Sequence, residues 1–292
     1  MNVRRAIGGL GRALIISGVL ILLFVAYQLW GTGLAEGRSQ DKLTKSFNER
    51  LAAPPPPPRA GTSVPAPPPA PEGEAVALIK IPKIGVEKAV VEGVGLPELK
   101  KGPGHFPTTP MPGQPGNSAM AGHRTTYGAP FFRLDEVEAG DPILVTTRQG
   151  AFRYEVAERK VVSPDETEVL DATDDNRLTL STCEPRFSAA RRLIVVAMLK
   201  GEAAQPPPEQ PSQPAALPQS LAESERAGLS GGNAANGPAI AWGLGAALVG
   251  LLTWLLGRLW RRWPAYLLGI PGFLVVLFFF FENFSRLLPS NY

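Results

Sequence analysis

Three stretches of the chain are apolar with no period at all. Ala13 to Trp30, ALIISGVLILLFVAYQLW, carries no charge and is long enough to cross a hydrocarbon core as a helix. Pro238–Leu256 and Pro264–Phe281 are equally uncharged, and the short GRLWRRW between them holds Arg258, Arg261 and Arg262. The pattern predicts one N-terminal span and a C-terminal helical hairpin. Arg4, Arg5 and Arg12 mark one cytoplasmic end, and the arginines of the hairpin loop mark another. Both clusters put residues 31–237 outside. Two alternatives stand beside this reading. The first run could be a signal peptide, although YQLWGTGLAEG offers a poor small-residue cleavage site. The last run could lie on the surface, because Ile270-Pro271-Gly272 interrupts it.

Between the spans the pattern changes twice. Leu51–Ala75 is proline-rich and favours extended polyproline II. Gly201–Gly237 is a second Pro-, Gln- and Ser-rich stretch that suits a tether. From about residue 74 to 200, short apolar runs are broken by Gly, Pro and Asp. Strands are predicted at Val76–Ile81, Val86–Val91, Ser118–Gly122, Pro142–Thr147, Ala151–Val162, Arg177–Thr182 and Arg192–Leu199, with a helical turn or two at GAPFFRLDEV. Many strands and little helix mean an all-β barrel or sandwich. The expected layout is an anchor over 1–30, a proline-rich stalk over 31–75, one globular domain over 76–200, a linker over 201–237, a membrane hairpin over 238–281 and a tail over 282–292.

Composition removes several functions. The net charge is +3 with no basic patch interleaved with aromatics, so nucleic acid is not an expected partner. A single cysteine excludes an internal disulfide framework. One cysteine and two histidines with no short ligand spacing fall short of a metal site, and no cofactor is expected.

That cysteine carries the candidate chemistry. In Leu178-Thr179-Leu180-Ser181-Thr182-Cys183 the two leucines share one face, and Cys183 falls on the other with Thr179 and Ser181. A thiol out of phase with the apolar face suits a nucleophile, while a buried inert cysteine remains the other reading. A nucleophilic thiol needs a base or a charge partner. The chain offers His123, at the end of the small-residue strand in NSAMAGHR, and His105, in the Gly/Pro-rich loop KGPGHFPTTP. Arg191 and Arg192 open the strand after a short loop from Cys183, where a guanidinium would favour thiolate and stabilise an oxyanion, unless both are solvated edge residues. Ser181 and Ser188 are weaker nucleophile candidates, lacking an evident Asp/His setting.

TLSTC at Thr179–Cys183, AGHR at Ala121–Arg124 and the arginine before the apolar RLIVVA resemble the signature of sortases, in the family's order. HRTTYG and CEPRFSAARRLIV resemble class E sortases of high-GC Gram-positive bacteria. The resemblance covers about Val76 to Leu199. It implies an eight-stranded β-barrel and a site of Cys183, His123 and Arg192, the last because the family's arginine directly precedes the apolar run. His105 matches no site position and is read as a loop residue. The resemblance further implies a transpeptidase that cleaves a Leu-Ala-x-Thr-Gly-type C-terminal sorting signal between Thr and Gly and joins the acyl product to an amine of peptidoglycan or its lipid-linked precursor. Tyr127 and Thr182 would contact substrate, and the backbone N–H of Glu184 would donate to the oxyanion. The partners would be secreted proteins bearing such signals, with the enzyme in the plasma membrane and its catalytic domain outside. The C-terminal hairpin departs from the single-anchor plan of class E and is similar to the C-terminal anchoring of pilus-building sortases. A pilin-polymerising sortase, a cysteine peptidase without transfer and a non-catalytic membrane scaffold are the alternatives.

Overall fold

The structure, a computed structural model, describes residues 3–52, 70–204, 236–259 and 262–285. The proline tract over 53–69, the linker over 205–235, Trp260, Arg261 and the tail beyond Ser285 lie outside the described residues. The chain divides into two units, one of helices near both termini and one that begins at Thr32.

Of the α-helices, α1 (Val3–Ala26), α4 (Gly237–Leu259) and α5 (Arg262–Ser285) form the helical unit, and α2 (Thr32–Ala52) and the short α3 (Leu96–Leu99) belong to the other. All three hydrophobic runs lie in helices long and apolar enough to cross a membrane. The α4–α5 pair packs by shape. Gly243, Gly250 and Gly257 face the rings of Phe280, Phe273 and Tyr266, each set repeating every seventh residue in opposite directions. A β-carbon at Gly243 would already lie 3.1 Å from the Phe280 ring. Small residues that admit a neighbour closely are how helices associate without a hydrophobic driving force. Phe24 of α1 and Tyr27, in the π-helical turn that follows it, stack edge-on against Phe281 and Phe278. The interruption at Ile270-Pro271-Gly272 does not break α5, which runs through Pro271. Proline is tolerated inside such helices because neighbours re-satisfy the freed backbone groups.

The second unit starts with α2 (Thr32–Ala52), where the sequence suggested stalk from residue 31. This segment is instead a helix packed on the globular domain. Thr32, Glu36, Gln40 and Phe47 are buried, and they recur on one helical face. The Gln40 side chain donates to the carbonyls of Ala89 and Lys101 and accepts from the Ala89 N–H. Phe47 packs with Ala75 and Ala89.

Eight strands close into a barrel: β1 (Ala75–Ile81), β2 (Val86–Glu92), β3 (Gly104–His105), β4 (Asn117–Ala121), β5 (Pro142–Thr147), β6 (Gly150–Val162), β7 (Arg177–Glu184) and β8 (Arg191–Lys200). Their order around the barrel is β1-β2-β3-β4-β7-β8-β6-β5. The β2–β3 and β4–β7 pairs are parallel and the rest antiparallel. In β5 burial alternates, with Ile143, Val145 and Thr147 turned inward, as a period of two requires. Ile79, Leu178, Leu180 and Val195 are fully buried in the core, each worth roughly 1.5–3 kcal/mol. β7 differs, because both of its faces are covered. On the second face Thr179 donates to the side chain of Asn117, which in turn donates to the carbonyls of Val169 and Asp171.

One further expectation changes: His105 is not a loop residue. It forms β3 and is buried, with Nδ1 3.0 Å from Glu92 and Nε2 3.1 Å from the carbonyl of Pro110. The helical turn expected in GAPFFRLDEV forms as a single 3-10 turn, Leu134–Glu136.

Candidate active site

The lone cysteine lies one residue before the end of β7, and β8 brings its partner. Cys183 pairs directly with Arg192 across the antiparallel β7–β8 ladder, while Arg191 pairs with Glu184. Arg192 is 2 % exposed, whereas Arg191 faces solvent. One nitrogen of Arg192, Nη1, donates to the carbonyls of Ala189 and Arg191 at 3.0 and 3.1 Å. Its Nη2 is buried without a hydrogen-bond partner among the described residues.

β4 runs parallel to β7 on the other side. The last ladder pair is Ala121 with Ser181. His123 follows two residues beyond the end of β4, as Cys183 follows two residues beyond Ser181. Three bonds carry that register past the ladder. The Gly122 N–H donates to the Ser181 carbonyl at 3.1 Å. Thr182 Oγ1 donates to the Gly122 carbonyl at 2.7 Å. Arg124 Nη1 donates to the Cys183 carbonyl at 2.9 Å. Gly122 has no room for a side chain, since a β-carbon there would meet the Phe131 ring at 2.6 Å. Cys183 and Arg192 therefore stand on the adjacent strands β7 and β8, and His123 lies in the loop just beyond β4, the other neighbour of β7.

A small cleft opens here, with about 240 Å³ of empty space, some of it open to solvent. Leu99, Ala121, Gly122, Ser181, Thr182, Cys183 and Arg192 line it. His123 does not. It is buried with Nε2 unpartnered among the described residues, its ring 5.1 Å from that of Tyr127. Tyr127 is also buried, and the Lys100 ammonium lies 5.4 Å from its ring centre. Thr182 reaches the cleft, but its hydroxyl is engaged with Gly122. The Glu184 carboxylate pairs with Arg124.

Electrostatics keep the resting pair neutral. Burial pushes the Cys183 thiol up, while Arg192 and then Arg124 pull it down. Burial, with the Lys100 ammonium adding to it, lowers His123 from 6.5 to about 4. At neutral pH thiol and imidazole are both uncharged, and the site holds two buried guanidinium groups. Arg124 escaped the sequence reading. It is 3 % exposed and also pairs with Asp135 at 3.0 Å. Among the described residues no group of three or more His, Cys, Asp or Glu could hold a metal ion.

The site thus joins a thiol and a guanidinium on neighbouring strands of a closed eight-stranded barrel, with an imidazole two residues beyond a third strand. The sortase domain family matches residues 79–200. Sortase SrtE1 of Streptomyces coelicolor is 34% identical over 202 residues, covering 64% of this chain and 55% of its own. Sortase D of Bacillus subtilis is 35% identical over 128 residues, covering 42% of this chain and 63% of its own. The solved sortase E from Streptomyces avermitilis is 38% identical, covers 44% of this chain and 90% of its own, and superposes with a TM-score of 0.41. Residues 79–200 of the chain carry a sortase domain. The chain spans little more than half the length of SrtE1, at 55%.

Proposed function

We propose that this chain is a membrane-anchored transpeptidase that works outside the cytoplasm. Its substrate is a Leu-Ala-x-Thr-Gly-type C-terminal signal on a secreted protein, and its acceptor is an amine of peptidoglycan or a lipid-linked precursor. The observation that carries the reading is the Cys183–Arg192 ladder pair, with His123 two residues beyond the end of β4, the other neighbour of β7.

The reaction balances as follows. Cys183 passes its proton to His123 Nε2 and its sulfur bonds the Thr carbonyl carbon. The oxyanion is met by the Arg192 guanidinium and the backbone N–H of Glu184. The Thr–Gly C–N bond breaks, and the departing amine takes the proton from His123. The acceptor amine then attacks the thioester, a new amide forms, and the thiol regains a proton. Thr182 lines the acyl site, and Tyr127 sets the second-position preference from the wall behind His123. Both charge clusters, at Arg4–Arg12 and Arg258–Arg262, support a cytoplasmic location for those ends. An anchored enzyme meets an anchored substrate at high effective concentration.

The test is a Leu-Ala-x-Thr-Gly peptide incubated with and without an added glycine amine, products resolved by mass. Wild-type protein should form amide product only with the amine. Cys183→Ala should form no thioacyl adduct, Arg192→Ala should be nearly inert, and Arg191→Ala close to wild type. Release of free acid unchanged by the amine would mean hydrolysis instead. A severe Arg191→Ala with a mild Arg192→Ala would overturn the site assignment.

A further inference from the structure

The loop that follows β4 carries both His123 and Tyr127, and its backbone is unusual. Tyr127, Gly128 and Ala129 are consecutive residues at φ 48°, 72° and 42°. For residues with a β-carbon this left-handed conformation costs of order 1 kcal/mol or more each, and it persists only where the surroundings over-determine it. The surroundings are supplied by α2. The N–H of Tyr127 donates to Thr32 Oγ1 at 3.2 Å, across 95 residues of sequence. One turn on, the Glu36 carboxylate lies against Gly128, in the space a β-carbon would need. Glu36 is itself fixed by Lys88 of β2 at 2.7 Å. Thr32 and Glu36 are 1 % and 2 % exposed, and neither touches the cleft.

We infer that α2 is a positioning element of the active site: Thr32 and Glu36 clamp the 127–129 turn and so hold His123 and Tyr127 in place beside Cys183. The inference rests on the proposed transpeptidase reading for its consequence in turnover, but the clamp has a readout of its own. A clamp at the N-terminal end of α2 also means that the catalytic unit begins at Thr32 and not at β1.

The experiment uses the full chain in detergent or nanodiscs. Thr32→Val removes the acceptor at similar size, Thr32→Ser restores it, Glu36→Gln keeps the shape and removes the charge, and Arg50→Met perturbs the far end of α2, about 27 Å away along the helix. Amide exchange is followed over 123–131, and peptide transfer is measured across pH. Loss of one hydrogen bond of ordinary net strength corresponds to a change of about five- to tenfold. Thr32→Val should speed exchange at Tyr127 by about that factor. Its kcat should fall similarly while KM holds, and the pH profile should shift, because His123 is no longer held in the same burial. Thr32→Ser and Arg50→Met should behave as wild type in all of these.

Unchanged exchange and turnover in both Thr32→Val and Glu36→Gln would overturn the clamp. So would losses that track thermal stability equally in Thr32→Val and Arg50→Met with an unmoved pH profile, since α2 would then only stabilise the fold. Wild-type protein that makes no transfer product, yet shows the expected exchange pattern, would sink the transpeptidase reading while supporting the clamp.

Discussion

His123 gives this protein a specific weakness in mild acid. Burial lowers its pKa, and Lys100 lowers it further, to about 4. An unfolded chain would titrate that imidazole near 6.5. Between those values the unfolded state binds a proton that the folded state refuses. Stability from this group is therefore complete above pH 6.5 and lost progressively as pH falls toward 4. Linkage gives about 2 kcal/mol lost at pH 5 and about 3 kcal/mol over the full window. His123→Gln keeps a planar polar side chain and removes the titration. Both proteins would be unfolded chemically at pH 7 and pH 5, and the two differences compared, so that carboxylates and His105 cancel. Wild type should lose about 2 kcal/mol more than the variant between those pH values. Equal losses would refute the reasoning, as would an imidazole resonance of His123 titrating near 6.5.

Two further outcomes follow from packing and charge. Arg124→Met strips a buried carbonyl, that of Cys183, of its donor, which should cost about 1–3 kcal/mol; with one of two nearby cations gone, the pH midpoint for thiol alkylation should move up, and an unchanged midpoint would remove Arg124 from the site's electrostatics. Gly250→Leu should overpack the hairpin against Phe273 by about 1–3 kcal/mol and speed amide exchange along α4, whereas Leu251→Ala, at a position 51 % exposed, should not.

How far the sequence could be read depended on what each element buries. β5 was legible because Ile143 and Val145 alternate with less buried neighbours. The spans were legible because they have no period, and the end of β7 because one thiol broke the phase of Leu178 and Leu180. β3 was not legible, since two residues, Gly104 and His105, carry no apolar signal. Its strand character comes from pairing with β2 and β4 on either side. α2 was invisible for a different reason. Three of the four buried residues on its inner face, Thr32, Glu36 and Gln40, are polar and only Phe47 is apolar, so a search for apolar periodicity passes over it. The burial is earned by long-range hydrogen bonds that only the fold creates. Arg124 was hidden by its place in the chain, next to the histidine that drew attention. Its one local signal is a charge two residues after the uncharged run Ser118–Gly122.

The distribution of charge around the site bears on which group carries the proton during the proposed reaction. Arg192 and Arg124 both oppose the burial of Cys183, so a thiolate formed there meets compensation at once. Nothing comparable offsets the burial of His123, and Lys100 makes its cation costlier still. The expense of separating charge thus falls on the imidazole. An imidazolium of pKa about 4 is a strong acid for a side chain, eager to give its proton away. The group that must receive it is an amide nitrogen turning into an amine, a poor base until its bond to carbon weakens. A buried histidine that holds its proton badly suits that step better than an exposed one titrating at its ordinary value. In the proposed reaction the burial that makes the fold acid-sensitive would also make His123 an effective donor, and a variant that relieves the first should weaken the second.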